Sequence, residues 1–145
     1  MNLLGLSSPV MDIRANAELS SFTKKELREI GRMCVEYCEK TLGVKRRKQP
    51  ITFSIRKNPY RDCYFGDYCP DANLIRVFYN EISTLGHFTS TFIHEYTHSL
   101  QPISTKYHKL LDKYGYDAHP HEIEARANES IYNRKLLAYL RKRLK

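Results

Sequence analysis

Nowhere in the 145 residues does an apolar run approach the roughly 20 side chains that a helix needs to cross a bilayer, so a membrane-spanning role is not expected. Glycine and proline are sparse, 6 of each, which excludes collagen-like and low-complexity architectures. The opening stretch Met1 to Val10 has neither a basic leader nor a sustained apolar segment, so export is not expected and a cytoplasmic location is. Under that expectation the four cysteines, Cys34, Cys38, Cys63 and Cys69, are reduced thiols, with an accessory metal site as the lesser alternative to a structural role. No internal repeat and no interdomain linker is visible. The chain therefore reads as one domain over 21–145, preceded by a flexible arm over 1–20 that contains Ser7-Ser8-Pro9 and no clear period.

What is present is ordinary globular material, 41% hydrophobic and 28% charged, with an excess of positive charge, formally +8. Two clusters carry much of that excess: Lys45-Arg46-Arg47-Lys48, and Arg141-Lys142-Arg143 with Lys145. Such clusters are usually solvated surface. They also admit contact with nucleic acid or an acidic protein substrate.

Periodicity supplies the elements. Thr23 stands three positions before Glu26, a capping box, and Phe22 is placed to staple against Leu27. The helix that follows runs to Gly43 with Leu27, Ile30, Cys34, Cys38 and Leu42 on one face. Ile51 to Ile55 alternates as a half-buried strand, Cys63 to Tyr68 is a weaker strand, and Leu74 to Tyr79 a strong one beyond a turn-rich Pro70-Asp71-Ala72-Asn73. A helical period then extends from Gly86 through Phe88, Phe92, Ile93, Tyr96 and Leu100, ended by Pro102. A short helix from Lys106 to Tyr114 stops at Gly115, and a last long helix starts at Pro120.

On the helix from Gly86 lies His94-Glu95-Tyr96-Thr97-His98, an H-E-x-x-H motif, the pattern of zinc peptidases. Residues four apart on a helix stand one turn above each other, so both imidazoles reach one zinc ion at about 2.0–2.1 Å. Glu95 is rotated aside, towards an activated water. Zinc lowers the pKa of that water and polarises the scissile carbonyl, and the carboxylate acts as general base before returning the proton to the leaving amine. The bland alternative is a buried structural pair of histidines.

A catalytic zinc usually takes three protein ligands. His108, Asp112, His119, His121, Glu122 and Glu124 all follow the motif. Glu122 and Glu124 lie about 200° apart around the last helix and cannot both face one ion. Glu124 shares its stripe with Ala127, Asn128 and Ile131, whereas Glu122 falls with Ala125, Arg126 and Glu129 on a more polar face. This favours Glu124 as the inward ligand over its plain reading as a surface carboxylate complementing the helix dipole.

With these residues the chain resembles the gluzincins, zincins in which a glutamate on a downstream helix completes the H-E-x-x-H site. Pro120-His121-Glu122-Ile123-Glu124-Ala125 is similar to the Pro-x-Glu-x-Glu-Ala stretch of many small bacterial and phage-associated gluzincin-like peptidases. The resemblance spans about Tyr64 to Ile131. It implies an α+β, zincin-like fold: a backing helix, a small mixed sheet with an edge strand, a motif helix and a glutamate helix. It implies one catalytic zinc ion held by His94, His98 and Glu124, with Glu95 as base. It also implies a substrate strand at Leu74, Ile75, Arg76, Val77 and Phe78, where a peptide would add by main-chain hydrogen bonds. The metzincin pattern departs, since Gln101 and Ser104 stand where glycine and a third histidine belong. A downstream histidine ligand stays open through His108, His119 or His121. An oxyanion donor is expected among Tyr107, Tyr114, Tyr116 and His119, and spacing selects none of them.

The expected function is thus endopeptidase hydrolysis of a protein or peptide. The alternative is a catalytically inactive zincin-like binding or regulatory protein that contacts nucleic acid through its basic clusters. A peptidase brought to nucleic-acid-bound substrates joins the two.

Overall fold

The structure, a computed structural model, describes residues 11–102 and 106–144. Ser104, Lys145 and the first half of the expected arm, 1–10, lie outside the described residues. Among the described residues four α-helices and a three-stranded mixed sheet make an α+β fold.

Helix α1 (Lys24–Leu42) begins on the capping box read from the sequence. The Thr23 hydroxyl accepts from the Glu26 amide at 3.1 Å, and the Glu26 carboxylate accepts from the Thr23 amide at 2.8 Å. Two of the amides that a helix start leaves without partners are satisfied in this way. Thr23→Ala is therefore expected to cost about 1 kcal/mol. In a thermal melt this appears as a midpoint lower by about 3 °C. Leu27, Ile30, Cys34 and Cys38 are buried along the expected face, and Gly43 ends the helix at φ 89°. Burial pushes the Cys34 thiol up and the Cys38 thiol to about 12, so both act as small apolar side chains.

Strands β1 (Thr52–Arg56), β2 (Gly66–Cys69) and β3 (Leu74–Phe78) stand in the order β1-β3-β2. β1 is parallel to β3 and β2 antiparallel to it, joined through a turn in which Asn73 takes φ 49°. Alternation along β3 sends Ile75 and Val77 inward, where both are fully buried against the helices. The expected substrate edge, Leu74 to Phe78, is thus the central strand. Both its edges are hydrogen-bonded, and it has no free main-chain groups to offer a peptide. The edge that borders α2 is β2.

Helix α2 (Leu85–Leu100) lies between the sheet and α4 (Pro120–Arg143), its most extensive partner, with α1 alongside. Phe53 and Phe88 both meet Phe92 edge-on, at 5.4 and 5.3 Å between ring centres. Gly31 makes room for this cluster, because a Cβ there would stand 2.7 Å from the Phe53 ring. Helix α3 (Lys106–Tyr114) ends at Gly115, φ 76°, as the glycine implied.

Residues 11–20 depart from the expectation of a loose arm. Ile13, Ala17 and Leu19 are buried. The carbonyls of Ala17 and Ala15 accept from the amides of Leu85 and Gly86 at 2.9 and 2.8 Å, which serves two of the unpaired donors at the start of α2. The lead-in is short of periodic pattern because its backbone, rather than a side-chain stripe, makes these contacts. No helix is long and apolar enough to cross a membrane among the described residues.

Candidate metal centre

The H-E-x-x-H segment is fully helical, so His94 and His98 project from one face of α2, their rings 5.0 Å apart. Facing them is Glu122, in the first turn of α4. Its Oε1 lies 2.9 Å from His94 Nε2 and its Oε2 3.2 Å from His98 Nε2. One ligand atom from each of the three residues falls within 4.8 Å of the others. Tetrahedral zinc with bonds of 2.0–2.1 Å separates its ligand atoms by about 3.3 Å, a spacing comparable to that of this cluster. Two imidazole nitrogens and a carboxylate oxygen are a donor set that zinc can take.

Glu124, expected as third ligand, points elsewhere: its Oε1 accepts from Gln101 Nε2 at 2.8 Å. The stripe assigned inward from Ile131 is the outer one, since Ile131 is 53% exposed while Ala125, Leu136 and Leu140 are fully buried. Counting back from Leu136 and Leu140 in steps of three and four reaches Glu129, Ala125 and Glu122. The signal was present in the leucines of the C-terminal half.

The other downstream candidates separate by position. His119 is fully buried at the N-cap of α4, its Nδ1 accepting from the His121 amide and its Nε2 donating to the Tyr107 carbonyl, each at 3.0 Å. Both ring nitrogens are committed, which removes it as ligand and as oxyanion donor. His108 and His121 line a cleft with His94, His98 and Glu122 but stand outside the three-residue cluster, and Asp112 belongs to neither cleft nor cluster. Tyr114 does not line the cleft, whereas Tyr107 and Tyr116 do. The Tyr107 hydroxyl donates to Glu122 Oε2 at 3.0 Å, and burial together with that carboxylate raises the hydroxyl pKa of both tyrosines.

Glu129 is a member that sequence reasoning passed over: its Oε2 lies 2.6 Å from His94 Nδ1. A carboxylate behind a ligating histidine fixes the tautomer that presents Nε2 to the metal. The cleft between β2, α2 and the start of α4 has a volume of about 590 Å³. Gly66, Asp67 and Tyr68 of β2 form its wall opposite Glu122. A Cβ on Gly66 would stand 2.6 Å from the Arg76 carbonyl and 2.9 Å from Thr91 Cγ2, so glycine is what allows β2 to lie this close to β3 and α2. Asp67 is not free for a substrate cation, because it pairs with Arg76 across the strands.

Glu95 is 7% exposed, and burial raises its pKa to about 7, against the pull of His94 and His98. Burial opposes charge on His94 as well, but hydrogen bonds to Glu122 and Glu129 prevail and lift it to about 10. His98 is raised in the same way through Glu122, and Glu122 is pushed down by both histidines despite its own burial. These shifts set the pH response of the metal-free protein. A histidine held at about 10 keeps a proton that the unfolded chain releases near 6.5, so its stabilisation is complete below 6.5 and lost through about 10. Glu95, raised from 4.5 to about 7, adds a loss over that interval. Glu122 acts oppositely, its contribution vanishing only as pH falls below 4.5. Chelator-treated protein should therefore lose roughly 5–10 °C of melting midpoint between pH 6.5 and 10. A flat or rising midpoint there would contradict these ion pairs.

The basic clusters are partly consumed within the fold: Lys45 and Arg47 donate to carbonyls at the end of α2, Arg141 to the Ile13 carbonyl and Arg143 to Glu36. Comparison with family models, with curated proteins and with solved structures returned no match.

Proposed function

We propose that the protein is a zinc-dependent metallopeptidase of zincin-like design that hydrolyses peptide bonds in a protein or peptide substrate. The observation that carries this reading is the convergence of His94, His98 and Glu122 beside a buried Glu95 in an open cleft. A bound zinc ion supplies Lewis acidity, lowering the pKa of a water towards neutrality and polarising the scissile carbonyl.

The chain's residues then have distinct tasks. Glu95 takes the proton of the attacking water and passes it to the departing amine. Glu129 holds the His94 ring through Nδ1. Tyr107 and Tyr116 line the cleft and are the tyrosines placed to serve the developing oxyanion, Tyr107 by turning its hydroxyl from Glu122 Oε2. The outer edge of β2 offers main-chain groups to an extended peptide, which would lie along Gly66 to Cys69 past Glu95.

The rival reading, an inactive scaffold that binds nucleic acid, draws on the clusters Lys45-Arg46-Arg47-Lys48 and Arg141-Lys142-Arg143 with Lys145; Lys45, Arg47, Arg141 and Arg143 are bonded to other groups of the fold, while Arg46, Lys48 and Lys142 are exposed. Digestion of a mixed peptide library by zinc-loaded protein decides between them. Cleavage abolished by a chelator and restored by zinc is expected; salt-sensitive nucleic-acid binding without any cleavage would favour the rival.

A further inference from the structure

We propose that Gln101 is a positioning residue for His98, held in place from behind by the basic loop at 43–50; this rests on reading His98 as a metal ligand. The last carbonyls of a helix have no partners within it, and Pro102 brings no amide to serve them. At the end of α2 the loop supplies cations instead. Arg47 donates twice to the Ser99 carbonyl and once, at 3.2 Å, to that of Gln101, which also accepts from Lys45 Nζ at 3.2 Å. The Tyr96 hydroxyl returns a bond to the Gly43 carbonyl. Cations suit the negative end of a helix dipole, and a phosphate there would meet that negative end. Lys45 and Arg47 therefore serve the helix terminus.

The terminus they secure carries the side chain that faces His98. Gln101 is 6% exposed. Its Nε2 donates to the His121 carbonyl at 2.9 Å and to Glu124 Oε1 at 2.8 Å. Both amide hydrogens are thus spent on acceptors of α4, which fixes the amide orientation and leaves only Oε1 towards His98, 2.7 Å from Nδ1. An acceptor at that place makes Nδ1 the protonated nitrogen and turns Nε2, the nitrogen beside Glu122, into the one available to a metal. Glu124 gains a task here: it orients the amide that orients the ligand. The two histidines are thus secured differently, His94 by a carboxylate and His98 by a neutral amide clamped between two helices.

The test is ¹⁵N-histidine NMR on metal-free and zinc-loaded protein, joined to zinc titration by competition with a chelating dye. The parent should show a slowly exchanging His98 Nδ1–H. In Gln101→Leu that signal should be lost and zinc affinity should fall roughly 10–100-fold. The double variant Gln101→Glu with Glu124→Gln keeps an acceptor at Nδ1 and exchanges donor and acceptor across the bond to residue 124, at the cost of the bond to the His121 carbonyl; it should bring back the Nδ1–H signal and part of the lost affinity. Arg47→Ala should quicken the exchange of the same proton, and it serves as the readout if Gln101→Leu does not fold. An Nδ1–H signal and zinc affinity in these variants equal to the parent would overturn the proposal. A parent that takes up no zinc would instead defeat the peptidase reading, and the Nδ1–H signal of the metal-free protein would still decide the role of Gln101.

Discussion

Glu95→Gln should abolish peptide cleavage while leaving zinc uptake intact. The side chain lies one residue beyond His94, rotated about 100° away from the ligand direction, so the amide keeps the shape of the site and removes only its proton acceptor. Loss of a positioned general base lowers the rate by about 10²–10⁴-fold. The same substitution relieves a stability cost, because a carboxylate with a pKa raised to about 7 by burial is ionised above that pH against its surroundings. The melting midpoint of the metal-free variant at pH 8 should equal or exceed that of the parent. An inactive variant that is also destabilised and zinc-poor would mean that Glu95 holds the fold, not the proton. Activity close to the parent's would remove its assigned role.

Glu122→Gln and Glu124→Gln form the second decisive pair, since the two carboxylates are near neighbours in sequence and opposite in direction. Glu122 is 2% exposed and meets both histidines. Replacing it with an amide removes the anion that balances the metal, and zinc affinity should fall by at least about 100-fold, beyond the range usual for an outer partner. Glu124 touches the site only through Gln101. Its substitution should weaken zinc by less than about 10-fold. Zinc titration of the two variants side by side reads the difference directly. The reverse order of losses would return the ligand role to Glu124.

The course of the chain is largely legible in the sequence, and the reason is local. Thr23 and Glu26 cap a helix within four residues, Gly115 stops another, and the apolar period from Phe88 to Leu100 needs nothing distant to be read. What was not legible depends on partners far along the chain. That β3 is central rather than an edge follows from β1 joining it in parallel, a pairing that no hairpin signal announces. That Glu122 faces inward depends on which stripe of α4 meets α2. The stretch of α4 from Pro120 to Asn133 offers a misleading cue in Ile131, an exposed apolar residue, and hides its true inner face behind polar residues, Glu122, Glu129 and Asn133, that bond with α2. Polar inward faces are where hydrophobic periodicity fails, and they are also where sites are built. The basic loop shows the same principle from the surface side: its charge was plain, but its use at a helix terminus some 50 residues away was not.

The most direct measurement is X-ray absorption at the zinc edge on protein loaded with one equivalent of the metal. The account predicts a shell of nitrogen and oxygen at about 2.0–2.1 Å with the outer-shell scattering of two imidazoles, unchanged in Glu124→Gln and altered in Glu122→Gln. A shell containing sulfur at about 2.3 Å would place the metal on cysteines instead, and no tightly held zinc at all would leave His94 and His98 as an ion-paired couple without a catalytic role.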